Sequence, residues 1–206
     1  MVDTSSIMAD GAVLDVNQRL AGRVRDLRAA RQLSLDGLAA KSGVSRSMIS
    51  LVERGESSPT AVVLEKLAAG LDVTLASLFD TPEEAAAPSG PVARRADQPE
   101  WRDPDSGYVR RNVSPPRIPQ PMQIVEVRFP PGARVAFERG ARDVRVYQQV
   151  WMIEGALEVQ VGSTRHRLRE GDCLAMQLDA PILFHNPTRK PARYAVVIAS
   201  EPLPRR

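Results

Sequence analysis

The segment Lys41 to Arg54 reads KSGVSRSMISLVER and sets Arg46, Ser47, Ser50, Leu51 and Arg54 at helical spacing, so that on a helix they share one face. The chemistry of such a face is recognition. Hydroxyl and guanidinium groups donate to phosphate oxygens and base edges, and a helix starting at Ser45 presents backbone N–H groups to an anion. Residue types for covalent or metal chemistry are scarce: the histidines are His166 and His185, and Cys173 is the lone cysteine. One cysteine forms no intrachain disulfide and lacks a cysteine partner for a metal, which fits a reducing cytoplasm and a buried, inert thiol.

The elements that must hold this face are helices. From Val16 to Phe79 apolar residues recur at helical spacing, beginning with Val16, Leu20, Val24 and Leu27. Ser34 caps a helix predicted over Leu35 to Lys41, Ser45 one over Arg46 to Arg54, and Thr60 one over Ala61 to Ala69. Gly43, Gly55 and Gly70 stand where those helices stop. Leu38 and Ala39 pack the first helix of the Leu38 to Gly55 unit, and Gly43 permits the tight turn. Val44, Ile49 and Val52 then pin the second helix across the first, the requirements of a helix-turn-helix.

On these residues the stretch RVRDLRAARQLSLDGLAAKSGVSRSMISLVERGESSPTAVVLEKLAAGLDVTLASLF resembles the phage-repressor-like XRE family of helix-turn-helix domains over a whole five-helix unit. The resemblance implies that Arg46 and Ser47 approach base edges in the major groove of double-stranded DNA. Ser50 and Leu51 follow behind them, and Ser45 lies near a phosphate or base. Read from the residues themselves, Arg23, Lys41, Arg46 and Arg54 are expected on one basic face. It also implies a buried ion pair between Arg28 and Glu53. Two departures stand out: Gly37 replaces an acidic residue, leaving Ser34 without a capping-box partner, and Leu51 replaces a polar reader, favouring contact with a thymine methyl. One such domain is too small to be selective alone, so a homodimer or higher oligomer on a roughly palindromic operator is expected.

Between Thr81 and Pro121 the character changes, with nine of the seventeen prolines falling in this stretch. Beyond it the period becomes two, and strands are predicted at Met122 to Phe129, Val150 to Ile153, Leu157 to Val161, Cys173 to Leu178 and Tyr194 to Ala199. The expected organisation is a flexible tail over 1–14, a helix-turn-helix domain over 15–80, a Pro/Ala-rich linker over 81–107 and an all-β sensor or dimerisation domain over 108–200.

The stretch VWMIEGALEVQVGSTRHRLREGDCLAM, followed by DAPILFHNPTRKPARYAVVI, resembles the small cupin barrel, a double-stranded β-helix. Cupin enzymes hold a metal with three histidines and a glutamate. At the corresponding positions this chain has Arg142, Val144, Gln148 and Ile182, which do not make a donor set, so no metal and no cofactor are expected. His185 is three residues from Ile182 and should face differently, while His166 lies in a charged strand and is read as solvent-facing. If Gln148 faces inward, alternation turns Val150 and Met152 inward too, with Ile182 and Phe184 on the other side. Arg142, Arg145 or Arg193 is then the candidate to meet a carboxylate, which would make the small effector an anion. Two readings of this apolar stripe stay open, plain core and ligand lining. Trp151, of opposite parity, is expected outside or at a dimer contact.

Composition agrees with a globular chain: 43% of the 206 residues are hydrophobic, 26% are charged and the formal net charge is +3. Residues 15–80 are near neutral and the excess basicity falls in 108–206. No apolar run approaches the roughly 20 residues that span a bilayer, and Met1 to Val13 lacks the basic and apolar regions of a secretory signal. The expectation is a cytoplasmic, non-enzymatic, sequence-specific regulator, a repressor, whose β domain binds an effector, dimerises, or does both. A cupin enzyme carrying a DNA-binding domain is the rival class.

Overall fold

The computed structural model describes residues 4–79, 90–116, 118, 121–138 and 144–202, with side chains described from residue 16 to 201. Hydroxyl caps start three helices. The Ser34 hydroxyl accepts from the Gly37 N–H at 3.0 Å and opens α2 (Leu35–Ser42), and that of Ser45 accepts from Met48 at 3.3 Å and opens α3 (Arg46–Glu53). Thr60 accepts from Val63 at 3.4 Å and opens α4 (Ala61–Gly70). Ser34 thus caps its helix through its own hydroxyl without the acidic partner that Gly37 displaces.

Gly43 ends α2 at φ 68°, a left-handed conformation that favours glycine. Gly70 does different work. Its φ is not positive, but a side chain there would meet Ser42 Cβ at 2.8 Å and the Ser42 backbone at 3.0 Å, so glycine lets α4 lie against the end of α2.

Two expectations for this half are corrected. Helix α1 (Thr4–Ala30) includes most of the range read as a loose tail, because once a packed turn exists each added residue contributes a hydrogen bond without a new nucleation cost. Among the described residues there are four α-helices rather than the five expected. The fifth position is a four-residue 3₁₀ turn, Ala76–Phe79, closed by i→i+3 bonds such as Ser77 N–H to Thr74 O at 3.0 Å. Leu20, Val24, Leu38, Ile49, Val52, Leu64, Leu67 and Leu78 form the core, each exposed by 1% or less.

The β half contains β1 (Glu100–Arg102), β2 (Val109–Asn112), β3 (Met122–Phe129), β4 (Arg134–Phe137), β5 (Val144–Glu154), β6 (Ala156–Val161), β7 (Thr164–Arg169), β8 (Cys173–Gln177), β9 (Ile182–His185) and β10 (Ala192–Pro202). They form a six-stranded sheet, order β1-β2-β3-β10-β5-β8, and a four-stranded sheet, order β4-β9-β6-β7, with antiparallel neighbours throughout. The sheets face one another across a core in which Phe184 of β9 stacks on Tyr194 of β10 at 6.1 Å.

The expected closed barrel is therefore an open sandwich. Among the described residues no ladder joins the two sheets, whose edges include the three-residue β1 and the four-residue β4. The linker expected over 81–107 also contains β1, because Trp101 is 5% exposed and its ring packs 5.7 Å from Phe79 and 5.9 Å from Tyr108.

Candidate nucleic-acid interface and interior cavity

Helix α3 buries Ile49, Val52 and Glu53 and turns Ser45, Arg46 and Ser47 to solvent, with Ser50 and Leu51 half-exposed beside them and Arg54 exposed at the end. Each basic group of this surface rests on an acid. The Arg46 guanidinium lies 3.4 Å from Asp36, Lys41 lies 3.8 Å from Asp72, and Arg54 lies 2.7 Å from Glu56 and also reaches the Ser50 hydroxyl. Such exposed pairs are worth under about 1 kcal/mol each, so an incoming phosphate can exchange with them.

Beneath this face Arg28 of α1 makes a bidentate pair with Glu53, Nε to Oε1 at 2.6 Å and Nη2 to Oε2 at 2.8 Å. The Glu53 side chain is 8% exposed, and its hydrogen bond raises the basicity of Arg28. Arg28 also donates to the Leu33 carbonyl at 2.8 Å, so one guanidinium ties α1, the loop before α2 and the end of α3 together. Arg23 is turned away from the α3 surface and donates to the Ser77 carbonyl at 3.2 Å.

The second feature is a cavity of about 70 Å³ between the sheets. Of the residues expected to line it, Gln148, Ile182 and Phe184 do. Val150 and Met152 point the same way along β5 but are packed into the core, 0% and 1% exposed, outside the lining. Arg145 and Arg193 are not brought to it. The Arg145 guanidinium lies 3.4 Å from the outward-facing Tyr147 hydroxyl, and Arg193 lies on the outer face, 3.8 Å from Glu154 and 3.9 Å from Glu126. Arg142 lies outside the described residues.

The basic group that the described lining does contain is Arg110 of β2, 6% exposed, with Tyr108 and Tyr194 nearby. The helical half contributes Glu65 of α4, Thr74 and Leu75. Burial pushes both phenols well above their ordinary titration range, so they remain O–H donors. The alternation Tyr108, Val109, Arg110 in YVRRN was the signal for β2. No local signal could have assigned Glu65 to the cavity, because that depends on how α4 docks on the sandwich.

The resemblance to cupins raises a metal. Gln148 and Ile182 do face the cavity, but an amide and a sec-butyl group do not make a metal site, and among the described residues no three His, Cys, Asp or Glu side chains cluster. The residues do not fit a metal. His185 lies opposite in parity to Ile182, 3.7 Å from Glu158. His166 is half-buried rather than solvent-facing, because it follows the parity of Leu168, 7% exposed. Cys173 is exposed rather than buried, being the first residue of edge strand β8 opposite Trp151.

A turn-linked helix pair on a four-helix body, followed by a cavity-bearing β sandwich, defines a helix-turn-helix protein with a β-rich C-terminal half. The helix-turn-helix family model HTH_3 matches residues 24–78. SutR, an HTH-type transcriptional regulator of Escherichia coli (strain K12), is 44% identical over 70 residues, 34% of this chain and 39% of that protein. The control protein C.MunI of a Mycoplasma species is 34% identical over 71 residues, which cover 34% of this chain and 96% of the relative. An HTH_3 family transcriptional regulator from Vibrio cholerae shares the fold over 93% of this chain and 99% of that one, at 25% identity and a TM-score of 0.71. The chain belongs to the XRE-type helix-turn-helix family. The match spans well under two thirds of the length of SutR.

Proposed function

We propose that this protein is a cytoplasmic, non-enzymatic, sequence-specific transcriptional regulator that reads double-stranded DNA through α3 and senses a small molecule in its β half. The observation that carries the reading is the surface of Ser45, Arg46 and Ser47, exposed with the half-exposed Ser50 on a short helix whose buried side is fixed by the Arg28–Glu53 pair. A rigid scaffold beneath a polar, basic face is what base readout requires. The described helices include none long and apolar enough to cross a membrane. We take residues 15–80 as the DNA-reading domain and 108–200 as the sensor, with the chain around β1 joining the two.

The protein acts as a homodimer in this reading. Four of the five exposed large hydrophobic residues, Met122, Ile124, Tyr147 and Trp151, lie on the outer face of the six-stranded sheet. There the registers Ile124↔Val197, Met122↔Ala199 and Trp151↔Ala195 make a continuous apolar strip. A second copy covering it would set two α3 helices against two half-sites.

In vitro selection of bound sequences by the full chain tests both parts. Enrichment of an inverted repeat with half-sites about one helical turn apart is expected. Recovery of no preferred sequence would overturn DNA reading, and a single unrepeated half-site bound by a monomer would overturn the dimer. Separately, a metabolite pool that leaves affinity for the selected site unchanged would remove the sensing role and leave the β half as a dimerisation platform.

A further inference from the structure

The cavity is not a property of the sandwich alone, because the helical half supplies part of its wall. Glu65, Thr74 and Leu75 line it, and polar and cation–π contacts hold the two halves together around it. Lys66 pairs with Glu138 at 2.7 Å, Asp103 accepts from the buried Ala61 N–H at 2.9 Å, and the Thr74 hydroxyl donates to Gln123 at 2.8 Å. Asn112 donates to the Ala76 carbonyl at 3.3 Å, and the Arg110 guanidinium lies 5.8 Å from the centre of the Phe79 ring.

Aromatic packing runs without a break from that contact into the cavity. Phe79 of the helical half packs on Trp101, Trp101 on Tyr108, Tyr108 on Phe129, Phe129 on Tyr194, Tyr194 on Phe184 and Phe184 on Phe137, all at 5.7–6.2 Å between ring centres. Seven of the nine aromatic residues of the chain belong to this row, and the other two, Tyr147 and Trp151, lie on the outer face.

The lining sets the ligand. Its lining includes the donors Arg110, Tyr108, Tyr194 and Gln148, the hydroxyl of Thr74 and the acids Glu65 and Glu138, while the rest is aliphatic and aromatic. That chemistry matches an anion on an apolar body. The charge on the wall sets the consequence. In this measure one water needs roughly 10–15 Å³, so 70 Å³ holds several waters, the room that a compact organic acid takes. The added negative charge would face Glu65, on the wall that the helical half provides, and Glu138 at the Lys66 clasp.

We propose that the cavity takes a small carboxylate with an apolar body, held by Arg110, and that filling it loosens the helical half from the sandwich. This rests on the sensing role proposed above and deepens it, since a ligand can shift an equilibrium only through its different affinity for two states. Docked and undocked helical domains are those states, and undocking changes the reach of α3 relative to its partner copy.

Trp101 reports the docking, because it is buried against Phe79. The full-length protein is titrated with 3-methylbutanoate, phenylacetate and benzoate, and with the matching neutral amides. Binding is followed by calorimetry, and the Trp101 signal is taken as the emission difference between wild type and Trp101→Phe. At least one carboxylate is expected to bind and its amide not, with Trp101 emission moving to longer wavelength along the same binding curve. Arg110→Gln should weaken binding roughly tenfold or more, since a hydrogen bond to a charged group is lost. Asn112→Ala, which removes the hydrogen bond to the Ala76 carbonyl without changing a lining residue or its charge, should tighten binding about two- to fivefold.

Carboxylate binding with unchanged or blue-shifted Trp101 emission, or a weaker ligand in Asn112→Ala, overturns the coupling while sensing itself survives. Amides binding as well as acids, or no binding by any acid, overturns the ligand class, and the metabolite-pool measurement then decides sensing independently. If Arg110→Gln fails to fold, the acid–amide pairs and Asn112→Ala still decide.

Discussion

The recognition face and the cavity are assembled in opposite ways. Ser45 to Arg54 form one continuous stretch, a single helix started by a single hydroxyl and pinned from below by one ion pair. The cavity draws on Glu65 of α4, Arg110 of β2, Gln148 of β5, Ile182 of β9 and Tyr194 of β10, residues far apart in the chain. A local site tolerates a changed surroundings as long as its helix stands, whereas a site of distant parts fails whenever any one of them shifts. The predictions that follow press on this contrast.

The largest effect is expected beneath the recognition helix. Glu53→Ala leaves Arg28 largely buried without its carboxylate and should cost about 3–5 kcal/mol, read as a lower urea midpoint, with DNA binding lost as α3 loosens. If the variant is as stable as wild type, the face does not depend on that pair.

Next is the joint between the halves. Asp103, 2% exposed, accepts from the Ala61 N–H and from the Ser106 N–H, both at 2.9 Å. Asp103→Ala leaves a buried N–H unmet at the start of α4, a loss of about 1–3 kcal/mol. Thermal unfolding should split into two transitions as the halves uncouple, and a single cooperative transition would show that the joint is held elsewhere.

On the recognition face itself, Arg46→Ala should reduce binding to the preferred site by about 1–3 kcal/mol. Stability should change by no more than about 0.5 kcal/mol, because the side chain is exposed.

The smallest effect is a pH dependence of the sandwich. Burial pushes the Glu126 carboxyl up, but the hydrogen bond from Arg111 and the nearby charges of Arg111, Arg193 and Arg128 outweigh it and hold the group below its ordinary value. A depressed carboxylate contributes stability that is present above its ordinary titration range and is lost as pH falls through the lower, folded value. Glu126→Gln should therefore flatten the acid side of the stability profile below about pH 4.5. An unchanged acid limb would place that loss on other carboxylates.

The same contrast explains what the sequence could say. The caps at Ser34, Ser45 and Thr60, the left-handed Gly43 and the Arg28–Glu53 pair were legible because each depends on a few residues at fixed spacing. Along β5 the alternation was legible too, and Gln148 faces the cavity as its parity requires. The cavity's basic residue was not, because Arg145, Arg193 and Arg110 all lie in strands of charged and apolar residues and only the stacking of one sheet on another decides which points inward. Cys173 was misread for a related reason: cysteine is commonly buried, and an edge position is fixed by strand order rather than by residue type. The 3₁₀ turn and β1 are short, and both are stabilised by the Phe79–Trp101 contact across the joint rather than by their own sequence.

The central claim is that the α3 face reads DNA sequence. Fluorescence anisotropy of a labelled fragment from the region upstream of the protein's own gene, against a shuffled fragment at near-physiological salt, tests it most directly. The account predicts preferential binding to the upstream fragment by the wild-type chain and loss of that preference in Arg46→Ala. Preferential binding that Arg46→Ala leaves unchanged would contradict it.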